Sequence, residues 1–234
     1  SGLWMKQRNH IPLARGLGSS SAALAGGLVG ANSLLGSPLS LDELVEMAVE
    51  MEGHPDNVVP ALVGGFCISV MEKSGKTIFT RAPIVDRYKW VIVVPNFEVS
   101  TKSARKKLPK NVSLSDAVFN LQRVGMLMTS FAFGRDELFY EAMQDRLHQP
   151  YRADLMGPLE EVFAAARSAG ALGVCVSGAG PCILALALEN AGKMGNAMRN
   201  VYLSHGIGCR MHVLRIANEG AREVDLTLQL STGG

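Results

Sequence analysis

The segment Pro12-Leu13-Ala14-Arg15-Gly16-Leu17-Gly18-Ser19-Ser20-Ser21-Ala22-Ala23 limits what this chain can fold into more than any other. An extended lead-in, read as a strand over Leu3 to Arg8, enters a turn with two glycines and leaves through consecutive serines into small helix formers. Glycine lets a backbone turn sharply and bring its N–H groups close to a ligand. Serines at a helix start aim hydroxyls and unpaired first-turn amides at one point, which also feels the positive end of the helix dipole. An anion suits that point, so Pro12 to Ala22 is predicted to cradle phosphate. A Gly/Ser turn that only caps a helix has the same composition, and the turn alone does not separate the two readings. The spacing is not G-x-x-x-x-G-K-[ST], because no lysine follows Gly18, and not G-x-G-x-x-G, because no third glycine arrives in register. A nucleotide here would meet backbone donors and hydroxyls, leaving a metal ion or arginines to neutralise the remaining charge.

At 234 residues the chain can bury one sizeable core or two small ones. Its 23 basic and 21 acidic side chains nearly balance, which argues against nucleic acid or a membrane surface as the main partner. Cys67, Cys175, Cys182 and Cys209 lie far apart with no C-x-x-C pair. That usage fits reduced, mostly buried thiols of a cytoplasmic protein rather than a zinc site or disulfide frame. No apolar run reaches membrane-spanning length and no signal peptide is visible. The chain opens Ser1-Gly2 without an initiator methionine, so the pair is either a cloning remnant or the natural start lies upstream.

The glycine turn feeds a helix predicted over Ser21 to Leu35, stopped by Gly36 and Pro38. Ser40-Leu41-Asp42-Glu43 is a capping box opening a helix to Met51. Pro55 then bars its continuation through Glu52-Gly53-His54-Pro55-Asp56-Asn57. Leu62 to Met71 and Lys76 to Arg81 read as a hairpin, Pro83–Tyr88 as a linker, and Trp90 to Pro95 as a buried strand. Thr101 to Lys110 reads as a basic connection, followed by helices at 114–133, 135–148 and 158–169. Strand 173–176, the turn Ser177-Gly178-Ala179-Gly180-Pro181, strand 183–188, helix 191–204 and strand 210–216 complete an α+β pattern with helices on one face of a sheet. The tail from Asp225 is predicted to be loose.

Three further clusters could carry chemistry. Glu52, His54, Asp56 and Asn57 place carboxylates where one could hold magnesium or act as a base near an alcohol; the bland reading is an Asx turn satisfying its own backbone. His54 with Asp56 lacks the further histidines that a transition-metal site needs. Arg105, in Thr101-Lys102-Ser103-Ala104-Arg105, and Arg152, in Pro150-Tyr151-Arg152, could clamp a carboxylate or phosphate, although either alone is an ordinary surface residue. The glycines of Ser177–Pro181 suit any tight turn between buried strands and gain a function only beside a site.

Taken together, the phosphate loop Pro12–Ala23 and the glycine motif Ser177–Pro181 resemble those of the GHMP kinases. Within that family, Glu52–Asn57 with Pro60-Ala61 and Gly64-Gly65, Ser100–Arg105, and Gln149–Arg152 are similar to the homoserine-kinase branch. The resemblance covers Leu3 to Val224 and rests on several spaced motifs in order. It implies an α+β GHMP kinase fold of two domains. A ribosomal protein S5 domain 2-like part would occupy 1–87 and a ferredoxin-like part 88–224. It implies transfer of the ATP γ-phosphoryl group to the hydroxyl of L-homoserine, for threonine biosynthesis, in a cytoplasmic enzyme that could be a homodimer. Another GHMP kinase, such as a mevalonate-type enzyme, or a catalytically silent nucleotide-binding fragment are the other readings. By the same resemblance Pro12, Leu13, Ala14, Arg15, Gly16, Leu17, Gly18, Ser19, Ser20, Ser21 and Ala22 wrap the ATP phosphates, with Gly178 and Gly180 beside them. Ser20 and Glu52 would hold Mg2+, with Glu50 as the weaker substitute for Glu52. Arg105 and Arg152 would clamp the substrate carboxylate, Thr101 would lie beside the hydroxyl or the γ-phosphate, and His54, Asp56 and Asn57 would line the acceptor pocket. Asp56 is read as an organiser of its neighbours more than as a base. The family's N-terminal motif rich in Asn, Gly and Asp has no match here, which implies an N-terminally truncated chain with unpaired sheet edges.

Overall fold

The computed structural model describes residues 2–224, apart from the side chain of Thr101. The expected loose tail, 225–234, lies outside the described residues. Two compact units emerge, and the cut between them is not a single point after Arg87. Residues 2–9, Gly18–Ala82 and 217–224 make the first, whereas His10–Leu17 and Pro83–Ile216 make the second. The glycine loop therefore divides at the Leu17–Gly18 peptide.

In the first unit, α1 (Ser19–Leu34), α2 (Leu41–Glu52) and α3 (Val58–Val63) pack around Ala25, Leu44, Val45, Ala48, Val49, Val58, Val59 and Leu62. α2 starts where its capping box requires: Ser40 Oγ accepts from the Glu43 amide while the Glu43 carboxylate accepts from the Ser40 amide. It ends on left-handed Gly53, ahead of Pro55. A hairpin of β1 (Phe66–Met71) and β2 (Thr77–Ala82) pairs Phe66 with Ala82 and Met71 with Thr77. Leu62 lies in α3 and not in the first strand, because Gly64 and Gly65, both at positive φ, stop the helix before the hairpin. A Cβ on Gly64 would collide with the 218–220 backbone, which is laced to this unit by the Gly65 amide on the Ala217 carbonyl and the Ala221 amide on the Ala61 carbonyl. Leu3 to Arg8 is not a strand: no described strand pairs with it, and Leu3, Trp4 and Met5 are exposed. Extended sequence becomes strand only when its amides find a ladder.

In the second unit, β3 (Lys89–Pro95), β4 (Gly173–Val176), β5 (Ile183–Ala187) and β6 (Cys209–Leu214) form an antiparallel sheet in the order β4-β5-β3-β6. The helices between β3 and β4 include α5 (Leu114–Phe133) and α8 (Leu159–Ser168), and α9 (Ala191–Ser204) joins β5 to β6. This is the βαββαβ pattern of a ferredoxin-like layer. Alternation along β3 explains its two faces. Val91 and Val93 bury against Met194, Met198, Tyr202 and Val162 on the helical side, while Ile92 and Val94 meet Cys182, Leu184 and Leu17 on the other. Thr101–Lys110 is not merely a connection. Its first half is a helix, α4 (Thr101–Lys106), because Ser100 Oγ accepts from the Ser103 amide and Arg105 and Lys106 lie in the last turn. The predicted helix 135–148 breaks into a 3-10 turn and the four-residue α6 (Phe139–Ala142); a further short helix, α7 (Gln149–Arg152), follows. The backbone between α6 and α7 closes around the Asp145 carboxylate instead of continuing a helical ladder.

Candidate active site

Within the first unit, α1 begins at Gly18, which is left-handed at φ 68° and gives the helix no side-chain cap. The Ala22 amide takes the Gly18 carbonyl at 2.9 Å. The amides ahead of it open the helix without intrahelical acceptors, at the positive end of a sixteen-residue dipole. A Cβ on Gly18 would stand 3.1 Å from Asn57 Oδ1, so the loop passes close over that side chain. Ser20 and Ser21 both donate their hydroxyls to Glu52 Oε1, at 3.1 and 3.0 Å. Ser19 Oγ accepts instead from Asn9 Nδ2 at 2.8 Å. The polar knot after α2 thus folds back onto the start of α1. Glu50 is exposed on α2 and outside this cluster. Asp56 is exposed and makes no side-chain hydrogen bond among the described residues. His54 is half-buried, with its Nδ1 buried and without a hydrogen-bond partner.

Magnesium takes hard oxygen donors, commonly one or two carboxylates together with substrate phosphate oxygens. Glu52 with the Ser20 hydroxyl fits that set. No group of three or more His, Cys, Asp or Glu side chains is arranged for a metal among the described residues, so an ion would need the ligand's oxygens as well.

Within the second unit, the loop's first half lies against the second glycine turn. Ser177 Oγ donates to the Gly16 carbonyl at 2.9 Å, and the Cys182 amide donates to the Arg15 carbonyl. Gly16, at φ 74°, has no room for a Cβ, which would strike the Ser177 carbonyl oxygen. A Cβ on Gly178 would lie 3.3 Å from the Gly16 carbonyl oxygen, and one on Gly180 would run into the Met156 side chain. Packing accounts for the glycines of Ser177–Pro181, as it accounts for Leu17. Ala14 takes positive φ, Leu13 is exposed, Pro12 is half-buried, and the Arg15 guanidinium pairs with Glu98 at 3.2 Å.

Arg152 is only 5% exposed. Its Nε donates to the Ala104 carbonyl of α4 at 3.2 Å and its Nη1 to the Gly178 carbonyl at 3.3 Å. Burial and the neighbouring Arg105 charge pull its pKa below the ordinary value, opposed by the Asp145 carboxylate. Arg105 and Arg152 are therefore brought together in one corner, and no carboxylate forms an ion pair with either among the described residues. A buried cation tied only to neutral carbonyls calls for an anion. Thr101 opens α4 in the same corner, though its side chain is outside what is described.

Sequence reasoning missed the groups that hold Arg152. Asp145 accepts from the amides of Leu147, His148 and Gln149 and from Asn120 Nδ2. Gln149 Oε1 accepts from the Val176 amide at 2.7 Å. An aspartate shortly ahead of a Gln-Pro helix start was the available signal, since Asx turns take amides two to four residues on.

Residues 1–65 match the model of the GHMP kinases N terminal domain, and residues 127–203 that of the GHMP kinases C terminal. A homoserine kinase of Moorella thermoacetica is 44% identical over 94% of this chain and 74% of its own length. The chain belongs to the GHMP kinases. A homoserine kinase of Clostridium beijerinckii is 40% identical with the same coverage. The crystal structure of homoserine kinase from Cytophaga hutchinsonii superposes with a TM-score of 0.84 at 34% identity, covering 91% of this chain and 69% of that one. Lactococcus lactis galactokinase, at 20% identity and a TM-score of 0.66, shares the fold. As a GHMP kinase the chain uses ATP in a general phosphoryl-transfer reaction, and its two units carry the fold that the family resemblance implied. No helix among the described residues is long and apolar enough to cross a membrane.

Proposed function

We propose that this chain phosphorylates the side-chain hydroxyl of L-homoserine with ATP, giving O-phospho-L-homoserine. The observation that carries the reading is the Arg152 corner: a buried guanidinium with a second arginine beside it and no carboxylate partner. An acceptor bearing an α-carboxylate supplies the missing anion, and a neutral sugar does not. The relatives at 40–44% identity carry the name of that same activity.

The first unit's part is to receive phosphate. The open amides of α1 and the Ser20 hydroxyl supply donors for the β- and γ-phosphoryl oxygens. Glu52 and Ser20 would hold Mg2+, which when bound neutralises charge on those oxygens. The second unit's part is to hold the acceptor, whose carboxylate Arg105 and Arg152 grip. Phosphoryl transfer through a loose transition state needs positioning and charge neutralisation more than a strong base, so exposed Asp56 is not required to remove a proton. The enzyme is assigned to the cytoplasm on its free thiols, and homodimerisation is open to light scattering.

The test is ADP release with homoserine, mevalonate and galactose as competing acceptors. Turnover confined to homoserine supports the reading. Turnover on mevalonate instead moves the chain to another branch of the family, and nucleotide binding without turnover makes it a silent module.

A further inference from the structure

The geometry points to Asp145 as the residue that positions Arg152 for substrate, acting through the backbone of α7. Its carboxylate accepts four hydrogen bonds: Oδ1 from the Leu147 amide at 2.8 Å and Asn120 Nδ2 at 2.7 Å, and Oδ2 from the His148 and Gln149 amides at 2.8 and 2.5 Å. These amides lead into and open α7, whose last residue is Arg152. A four-residue helix has little stability of its own, because nucleation fixes several residues for one hydrogen bond. Its direction must come from what holds its start. Asn120 completes the lock from α5: while its Nδ2 donates to Asp145, its Oδ1 accepts from the Arg146 amide at 3.0 Å. Gln149 fastens the other side, through the Val176 amide at the end of β4. The turn of Gly178, which accepts from Arg152, begins one residue later.

Charge points the same way. Asp145 opposes the downward pull that burial and Arg105 exert on the Arg152 pKa. Yet its oxygens are taken up by four donors, so it forms no ion pair with the guanidinium. The cation is stabilised from a distance and keeps N–H groups for a ligand. A direct Asp–Arg pair would hold Arg152 equally well but would occupy the donors that the substrate needs. Asp145 is thus a positioning residue and does not touch the substrate.

This inference rests on the proposed homoserine reading only for its kinetic arm. In that arm, Asp145→Asn leaves the side chain's size nearly unchanged but sets an amide donor against backbone donors. The homoserine KM should rise at least tenfold with the ATP KM within twofold. In an Arg152→Ala background the same substitution should add less than twofold, because the residue it acts through is gone. Equal rises in both KM values, or full multiplication of the two effects, would overturn the assignment. The second arm needs no substrate: labelling of Arg152 by phenylglyoxal, followed by mass spectrometry, should be slow in the wild-type protein and at least fivefold faster in Asp145→Asn, with Arg105 as the internal reference. Faster Arg152 labelling in a protein inactive on homoserine retains the positioning role and discards the substrate. Homoserine turnover with unchanged labelling and KM values retains the substrate and discards the positioning role. Should Asp145→Asn not fold, Asn120→Ala removes one of the four contacts and should shift both readouts in the same direction by smaller factors; no shift in either would overturn the assignment.

Discussion

Around Glu52, hydroxyl groups do the holding; around Arg152, the main chain does. Glu52 Oε1 is satisfied by Ser20 and Ser21, whose Oγ–H bonds can rotate toward another acceptor. Arg152 is fixed by the carbonyls of Ala104 and Gly178, which can turn only if α4 or the glycine turn moves. The two left-handed glycines of the loop repeat the contrast. Gly16 is crowded by backbone, the Ser177 carbonyl and Gly180, whereas Gly18 is crowded by the Asn57 side chain. On the proposed assignment, the Glu52 corner that would receive phosphate is built to adapt and the Arg152 corner that would grip the carboxylate is built to stay put. A preorganised cation costs no reorganisation when the acceptor arrives, and adaptable hydroxyls can exchange partners as phosphate enters and leaves.

The sharpest way to break that contrast is Gly16→Ala. Overpacking against backbone together with a left-handed φ should cost about 3 kcal/mol, read as a lower urea midpoint at constant m. A change under about 1 kcal/mol would mean that the loop yields and the rigid side is not rigid. Arg152→Ala should raise the homoserine KM by about 100-fold, the order of one charge-assisted contact, with little change for ATP. Equal effects on both substrates would put Arg152 on the nucleotide. Glu52→Gln should lower kcat about tenfold and shift the magnesium dependence while leaving the melting temperature nearly unchanged. Gly18→Ala should cost about 1–2 kcal/mol, mainly the left-handed penalty, because Asn57 can swing aside; a cost equal to that at Gly16 would erase the distinction.

The smallest effect concerns pH. Hydrogen bonds from the Gln149, Leu147 and His148 amides and from Asn120 outweigh burial and hold the Asp145 carboxyl below its ordinary value of 3.8. Its contribution to stability is complete above that ordinary value and is lost as pH falls through the lower, folded one. Asp145→Asn should therefore flatten the fall of stability below about pH 4, leaving a lower stability at neutral pH that varies less with acid. An unchanged acid slope would mean that the carboxylate is not held as described.

How much was legible in the sequence follows from how each element is encoded. α2 declared itself by its capping box, and β3 by its unbroken apolar run. The Glu52 corner was legible because its serines and carboxylate sit in short polar motifs beside helix ends. α4 was hidden because its lysines and arginine read as solvated charge, though Ser100 marked the cap. α7 was hidden because four residues have no periodicity. Leu3 to Arg8 misled for the opposite reason, having strand-like composition but no described ladder. Nor could any local pattern reveal that Arg152 is buried: its partners lie 48 and 26 residues away.

The most direct measurement is the ratio of kcat/KM for homoserine to that for 3-aminopropan-1-ol, the same alcohol without its carboxylate, in the wild-type protein and in Arg152→Ala. A wild-type ratio of about 100 or more, falling at least tenfold in the variant, is the result predicted from a charge-assisted grip on the carboxylate. A ratio that is the same in both proteins would contradict it, since the buried guanidinium would then be reading something other than the acceptor's anion.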